Sequence, residues 1–319
     1  MIEILLKNKE IITVNSTNEI LPEQMDFYAI QFIDYTDQQI NWAGENFGIN
    51  CSLMKRYEDI EISSHFLVKN NQTAFHISIP YYCSKEENKL VESPIFFIMS
   101  DSGLFFFSNS SIDRFFNLKY TYKLNELHEI SDMIEILMFQ LEFISDYYAD
   151  ITESEAKKIK DLANSVLLKN ESSKKITDQI TTYSFNSLLL KESLIETIRV
   201  FNLYKKNIQD QDSHTKERIE SELDDLAVIS DYIQFNFERL DNLRGNIKNK
   251  IDLEQNYIFK VLTVITLCVS LPALIAGIYG MNFKNIPGLD TIYGYPITVI
   301  IMVVSAILPY IYFKKKKWL

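Results

Sequence analysis

Residues 261–279 read VLTVITLCVSLPALIAGIY and residues 295–313 read YPITVIIMVVSAILPYIYF, two runs of 19 residues without a charged side chain. At ~1.5 Å of rise per residue each run is ~28 Å long as a helix, close to the ~30 Å hydrocarbon thickness of a bilayer. Aromatic residues flank both runs, and Lys314 to Lys317 with Trp318 close the second, which is the pattern of membrane spans rather than of buried core helices. The segment between them, Gly280 to Gly294, holds Asn285, Pro287 and Gly288 and turns the chain back, so the spans form a hairpin. Lys260 and Lys314 to Lys317 flank its open ends, whereas its loop holds only Lys284. The excess of lysine predicts a multi-pass protein of the cytoplasmic membrane with both termini in the cytoplasm.

Outward from the hairpin, charge divides the chain. Residues 258–319 carry six lysines against Asp290 alone, net +5, and residues 1–257 carry 26 basic against 42 acidic residues, net −16, for −11 overall. An acidic body of this kind excludes a nucleic-acid partner. Cys51, Cys83 and Cys268 are odd in number and form no C-x-x-C pair, which predicts neither a disulfide framework nor a cysteine zinc site and suits a reducing compartment. The start, Met1 to Ile11, places Lys7, Lys9 and Glu10 behind a short apolar run, so no signal peptide is expected there. His65, His76, His128 and His214 share no metal-ligand spacing, and no G-x-S-x-G, H-E-x-x-H or phosphate-cradling loop occurs, so neither an enzyme nor a resident cofactor is expected.

The first 120 residues contain short β-type runs: MIEILLKN (1–8), IITVN (11–15), FYAIQFID (27–34), FLVKNNQTAFHISIP (66–80), PIFFIMS (94–100) and LFFFSN (104–109), with a helix expected over DQQINWAGENFGI (37–49). Between Gly103 and Gly245 there is no glycine and between Pro94 and Pro272 no proline, so most of residues 125–280 should be helical. The division expected is an α/β domain over 1–124, a helical domain and stalk over 125–257 and a transmembrane hairpin with a basic tail over 258–319. Ile219, Leu223, Leu226, Ser230, Ile233, Phe237, Leu240, Arg244, Ile247 and Ile251 alternate steps of four and three, a heptad seam on one long helix that continues into the first span. Two readings of the seam stay open: contacts between subunits, or packing inside its own domain.

Small and polar residues in the first span are not scattered. Thr263, Thr266, Ser270, Ala273 and Gly277 follow steps of three or four, and the same stripe extends back through Phe259 and Asn256. Such a stripe is either a water-lined pore face or a face on which membrane helices approach closely.

Immediately after it comes Tyr279-Gly280-Met281-Asn282-Phe283. Here the sequence resembles the CorA-type magnesium transporter family, whose signature is Gly-Met-Asn at the outer end of the first of two C-terminal spans. KVLTVI (260–265), Pro272, LIAGIYGMNF (274–283), GYP (294–296) and YFKKKKWL (312–319) carry the resemblance, with FGI (47–49) a weaker match. It implies an α+β membrane protein: an N-terminal α/β cytoplasmic domain, a long stalk helix and two C-terminal transmembrane helices, assembled as a homopentameric funnel in which the first span of each subunit lines the pore. The implied function is a divalent cation channel or transporter, chiefly for Mg2+ and also for Co2+ or Ni2+, gated by intracellular Mg2+. A zinc-preferring relative and a membrane-anchored scaffold without transport are the alternatives. The chain departs from the family at Lys284 and Pro287-Gly288-Leu289, where glutamates are common, and at Ala273, where a threonine is common.

Physical chemistry suits the motif. Mg2+ dehydrates reluctantly and prefers six oxygens, so a ring of neutral oxygens that holds its water shell can select it. The Asn282 side-chain carbonyl with the backbone carbonyls of Gly280 and Met281 would form that ring, and since two spans enclose no pore, the ring requires other copies of the chain. For regulation, Glu220, Glu222, Asp224 and Asp225 cluster beside the seam and offer hard oxygen ligands to Mg2+, in competition with a plain solvated acidic face.

Overall fold

The computed structural model describes residues 1–22, 25–55, 66–85, 88–109, 132–167, 174–208, 212–282, 286–288, 291–316 and 318. His65, His128, Phe283, Lys284, Asn285, Leu289, Asp290 and Lys317 lie outside the described residues. The chain divides into two compact units, Met1–Leu243 and Arg244–Leu319.

The first unit is built on a seven-stranded sheet. Its strands are β1 (Ile2–Leu6), β2 (Ile11–Val14), β3 (Phe27–Ile33), β4 (Phe66–Lys69), β5 (Gln72–Tyr82), β6 (Leu90–Ser100) and β7 (Gly103–Ser108), in the order β2-β1-β3-β7-β6-β5-β4. All pairs are antiparallel except β3 with β7, where Ala29 faces Leu104 and Ile33 faces Ser108. The long run FLVKNNQTAFHISIP, expected as one extended stretch, is two strands. Asn70 and Asn71, with φ of 53° and 61°, form a two-residue turn between β4 and β5, since asparagine tolerates the left-handed conformation that tight hairpins demand. Gly103, at φ 144°, closes the β6–β7 turn, and a Cβ there would lie 2.7 Å from the Phe27 ring.

Strand residues bury both faces of the sheet. Ile2, Ile4, Ile30, Phe32, Phe105 and Phe107 point to one side, where α1 (Asp37–Phe47) covers them with Ile40 and Ala43, together with the short α2 (Ser52–Lys55). A Thr36–Gln39 capping box starts α1 and Gly48, at φ 66°, ends it. Ala29, Phe75, Ile77, Phe97, Leu104 and Phe106 point to the other side, onto α3 (Met133–Leu167), α4 (Lys174–Asn207) and the N-terminal portion of α5 (Ser213–Tyr279). Leu137, Leu141, Tyr148, Leu190, Leu194, Phe201, Ile219, Leu226 and Ile233 fill this layer, so sheet and helices share one core.

Polar contacts pin the helices to the sheet. Buried Glu155 on α3 accepts from the Tyr82 hydroxyl (2.9 Å) and from Asn186 Nδ2 on α4 (3.0 Å), while Asn186 Oδ1 accepts from the Leu90 amide (2.9 Å). Arg218 on α5 clamps α3 by donating to Glu142 and Glu135, each at 2.6 Å. A carboxylate this buried is tolerable only when its lone pairs are occupied in this way.

The seam on α5 is corrected in register. Ile219, Leu226, Ile233, Leu240 and Ile247 are buried as expected, but the residues between them are Ile229, Asn236 and Leu243, one position before Ser230, Phe237 and Arg244. Phe237 and Ile251 are 40% and 43% exposed. From Ile219 to Ile233 the buried stripe packs inside its own unit, because Ile219, Leu226, Ile229 and Ile233 belong to the sheet-side core. Val228, Tyr232 and Phe235 are left exposed on the outer side of α5.

Glu92 on β6 lies close to Glu192 and Glu196 on α4. Partial burial, followed by repulsion from the neighbouring carboxylates, raises Glu92 and Glu196 above the ordinary carboxyl value of 4.5. The folded chain thus holds these protons more tightly than the unfolded chain, so the contribution of these two groups to stability is full below pH 4.5 and is lost as pH rises through the raised values. Glu196→Gln is expected to raise the melting temperature of the detergent-solubilised protein by a few degrees at pH 7, with the gain vanishing toward pH 4.5, where the wild-type carboxyl is itself protonated. Equal melting temperatures for variant and wild type at pH 7 would remove the repulsion argument.

Candidate cation pathway

The second unit consists of the remainder of α5, a loop and α6 (Gly294–Lys315). Of the apolar stretches that qualify as membrane spans, 6% in α5 and 11% in α6 are buried within the chain. Core helices would be buried; these two are clad in Leu, Ile and Val facing outward, which only hydrocarbon or further protein can cover. Two contacts fix the hairpin as antiparallel. Lys260 Nζ lies 5.8 Å from the centre of the Trp318 ring at one end, and Ala276, Tyr279 and Gly280 share a cavity with Gly294, Tyr295 and Thr298 at the other. Pro272 lies within the α5 helix and Pro309 within α6.

The faces of the first span separate cleanly. Val264 is buried, and Val261, Cys268, Pro272 and Ile275 are half-buried. At ~100° per residue these five occupy one sector of the helix, the side covered by α6, the other described helix of this unit. Asn256, Phe259, Thr263, Thr266, Ser270, Ala273 and Gly277 are all exposed and fall in roughly the opposite sector, with Phe259 at 64% exposure. The polar stripe therefore does not mediate packing of the two spans within one chain.

Its hydroxyls are also oriented. Thr263 Oγ1 donates to the Phe259 carbonyl (2.8 Å) and Thr266 Oγ1 to the Leu262 carbonyl (2.9 Å). A threonine hydroxyl whose one proton is committed to the helix behind it can offer only oxygen lone pairs outward. The surface so made accepts hydrogen bonds from water and attracts cations.

At the end of the stripe α5 stops at Tyr279. The Gly280 amide still bonds to the Ala276 carbonyl (2.9 Å) and the Met281 amide closes on the Ile278 carbonyl (3.3 Å), after which the backbone leaves the helix. Gly280, Met281 and Asn282 are exposed and sit beyond the helix C-terminus, where unpaired carbonyls and the negative end of the helix dipole favour a cation. The loop that follows contains a turn absent from the expectations above: Thr291 Oγ1 donates to the Gly288 carbonyl (2.8 Å) and the Gly294 amide to the Thr291 carbonyl (2.9 Å). The Pro287-Gly288 pair was its only sequence signal.

The four acids expected as a regulatory group do not converge within one chain. Glu220 pairs with Lys205 Nζ at 3.0 Å, and Asp224 and Asp225 are exposed. Glu222 sits near Ser145, Glu142 and Asp146 of α3, and partial burial followed by this acidic company raises its carboxyl above the ordinary value. Among the described residues no cluster of three or more His, Cys, Asp or Glu side chains has the geometry to hold a metal ion.

Comparison with known proteins agrees with this architecture. The magnesium transport protein CorA of Wolinella succinogenes is 26% identical over 311 residues, covering 96% of this chain and 94% of its own. That of Campylobacter jejuni is 28% identical over 319 residues, covering 97% and 95%. The complete structure of the CorA magnesium transporter from Methanocaldococcus jannaschii superposes with a TM-score of 0.77 at 18% identity, covering 100% of this chain and 98% of that one, and so shares the α/β domain, the long helix and the two apolar C-terminal helices. The family model described as CorA-like Mg2+ transporter protein matches residues 25–315, and the chain, with its α/β unit, its 67-residue helix and its C-terminal hairpin, belongs to that family.

Proposed function

We propose that this chain carries Mg2+ into the cell, driven by the membrane potential, through a homopentameric pore lined by the first span of each copy. The observation that carries the reading is the stripe from Asn256 to Gly277, turned away from α6 and ending at Gly280-Met281-Asn282. One hairpin encloses nothing, so a continuous path needs several stripes facing a common axis, with lipid covering the apolar remainder. Both termini are cytoplasmic in this arrangement, set by Lys260 and Lys314 to Lys316 at the open end of the hairpin. The carbonyls of Asn282, Gly280 and Met281 then form the outer ring and hold the ion through its water shell. Inward movement of a doubly charged ion gains ~4.6 kcal/mol per 100 mV, since each elementary charge contributes ~2.3 kcal/mol, and no coupled ion is required.

The decisive measurement is Mg2+ uptake by cells that depend on this protein for magnesium, with Co2+, Ni2+ and Zn2+ as competitors. Asn282→Ala and Asn282→Asp are each expected to abolish selective uptake while leaving oligomer size unchanged, because the residue sits at the mouth and outside the cores. Normal uptake by the alanine variant would remove the carbonyl ring.

Phe259 is the bulkiest member of the stripe and stands within one turn of Asn256, so the narrowest apolar point lies there. Phe259→Ala is expected to raise the resting cation leak in liposome flux assays, and an unchanged leak would place the constriction elsewhere. Feedback by cytoplasmic Mg2+ completes the proposal: Glu220, Glu222, Asp224 and Asp225 repel their counterparts on neighbouring copies when the ion is scarce and are drawn together when it binds. Neutralising all four should relieve inhibition by cytoplasmic Mg2+; inhibition that persists unchanged would locate the sensor in another part of the body.

A further inference from the structure

Between Asn282 and α6, the described residues 286–288 and 291–294 converge on one backbone oxygen. The Gly288 carbonyl accepts from Thr291 Oγ1 at 2.8 Å and lies along the Thr291 amide at 3.4 Å. It also touches Gly294 so closely that a Cβ built on that glycine would stand 1.9 Å from it, and 3.1 Å from Thr291 Oγ1. No real Cβ occupies such a position, so only glycine at 294 lets the turn close onto the start of α6. Gly288 itself has φ 88°, a conformation that side chains rarely adopt. One residue before it, the Pro287 carbonyl accepts a long bond, 3.5 Å, from the hydroxyl of Tyr279, the last residue of the first span. Tyr279, Gly280, Gly288 and Gly294 together line a cavity of about 520 Å3, so the turn and the first residue of the Gly-Met-Asn stretch border one space.

We propose that Thr291 and Gly294, acting through the Gly288 carbonyl, are positioning residues for cation selection: they hold the return limb of the outer loop against the end of the first span and so fix the place of Asn282. The inference rests on the proposed pore reading. Its physical basis is that a ring selecting a hydrated ion discriminates by diameter, and an exposed three-residue stretch beyond a helix end has no diameter of its own unless the far side of its loop is anchored. Neither residue touches the ion. The anchor adds a hydroxyl donor and a steric fit on the limb of the loop that carries no ligand.

The test compares Thr291→Val, which keeps the volume and removes the donor, with Thr291→Ser, which keeps the donor, in Mg2+ uptake with Co2+ as competitor. Loss of one such hydrogen bond predicts a KM for Mg2+ raised about five-fold in Thr291→Val, with a lowered Mg2+ to Co2+ preference and a maximal rate near wild type; Thr291→Ser restores both. Gly294→Ala should lose more of the preference than Thr291→Val, and Tyr279→Phe should shift it in the same direction. A Thr291→Val protein with wild-type KM and wild-type preference overturns the anchor. Should Thr291→Val not reach the membrane, unchanged KM and preference in Tyr279→Phe overturn it instead. Asn282→Ala is run alongside: if that variant takes up Mg2+ normally, the pore reading fails, whereas if it is inactive while the loop variants are indistinguishable from wild type, the anchor alone fails.

Discussion

In hydrocarbon, a backbone N–H or C=O without a partner costs several kcal/mol, so a chain that crosses a bilayer must close its hydrogen bonds within each span. That constraint sets where everything else in the second unit can happen. Along α5 and α6 the backbone is committed to the helix ladder except where Pro272 and Pro309, which have no N–H, leave the carbonyls of Cys268 and Ser305 without their helical donor. Thr263 and Thr266 go further and commit their protons to the ladder as well, which leaves oxygen lone pairs as the polar surface. Backbone carbonyls also become available for an ion where the ladder stops. It stops at Tyr279, and the next three residues are Gly280, Met281 and Asn282. Gly280, Met281 and Asn282 thus stand where the ladder ends and main-chain oxygen is no longer committed to it.

The same constraint explains why the hairpin was legible in the sequence while other features were not. A run of 19 uncharged residues has few folded alternatives, and the stripe was readable because a helix of fixed pitch converts spacing into direction. The long α5 was expected because Gly245 is the single glycine or proline between Ser213 and Pro272. The seam on α5 shows the limit of such reasoning. Spacing alone located Ile219, Leu226, Ile233, Leu240 and Ile247, but Phe237 and Asn236 are neighbours on the helix, and which of them turns inward depends on the neighbouring layer. Asn236 is the one turned inward, against hydrophobicity. Hydrophobicity likewise ran β4 and β5 together, since it is blind to the two left-handed asparagines that separate them.

The candidate site divides along the same line. Residues presented by a regular helix were found from periodicity, with Gly280 to Asn282 added by resemblance to a family. The turn at Gly288, Thr291 and Gly294 was not found, because its logic lies in a contact between atoms six residues apart in an irregular loop. A proline-glycine pair signals that a turn exists but carries no information about which later residue must come within van der Waals distance of its carbonyl. Within one chain the acids beside the seam form no metal-holding group among the described residues, for a related reason. Spacing along α5 placed them together, but α4 supplied Lys205 to one and α3 supplied Ser145 and further carboxylates to another.

The polarity of the hairpin gives its two ends different electrostatic characters. Each helix ends with unpaired carbonyls and begins with unpaired amides, so α5 presents its negative pole beside Gly280-Met281-Asn282 while α6 starts nearby with its positive pole at Gly294. The poles act over about one turn, so their separation matters: a cation at the Asn282 ring gains from α5 only if the amides at the start of α6 are kept away from it. Two of those amides are occupied. Gly294 donates to the Thr291 carbonyl and Ile297 to the Tyr293 carbonyl, so the turn at the start of α6 satisfies positive partial charge that would otherwise face the mouth. At the opposite end Lys314 and Lys315 stand beside the negative pole of α6, where they stabilise the helix. Helix dipole and flanking charge thus agree at the open end of the hairpin, while at the loop end the turn at Gly294 separates the two poles.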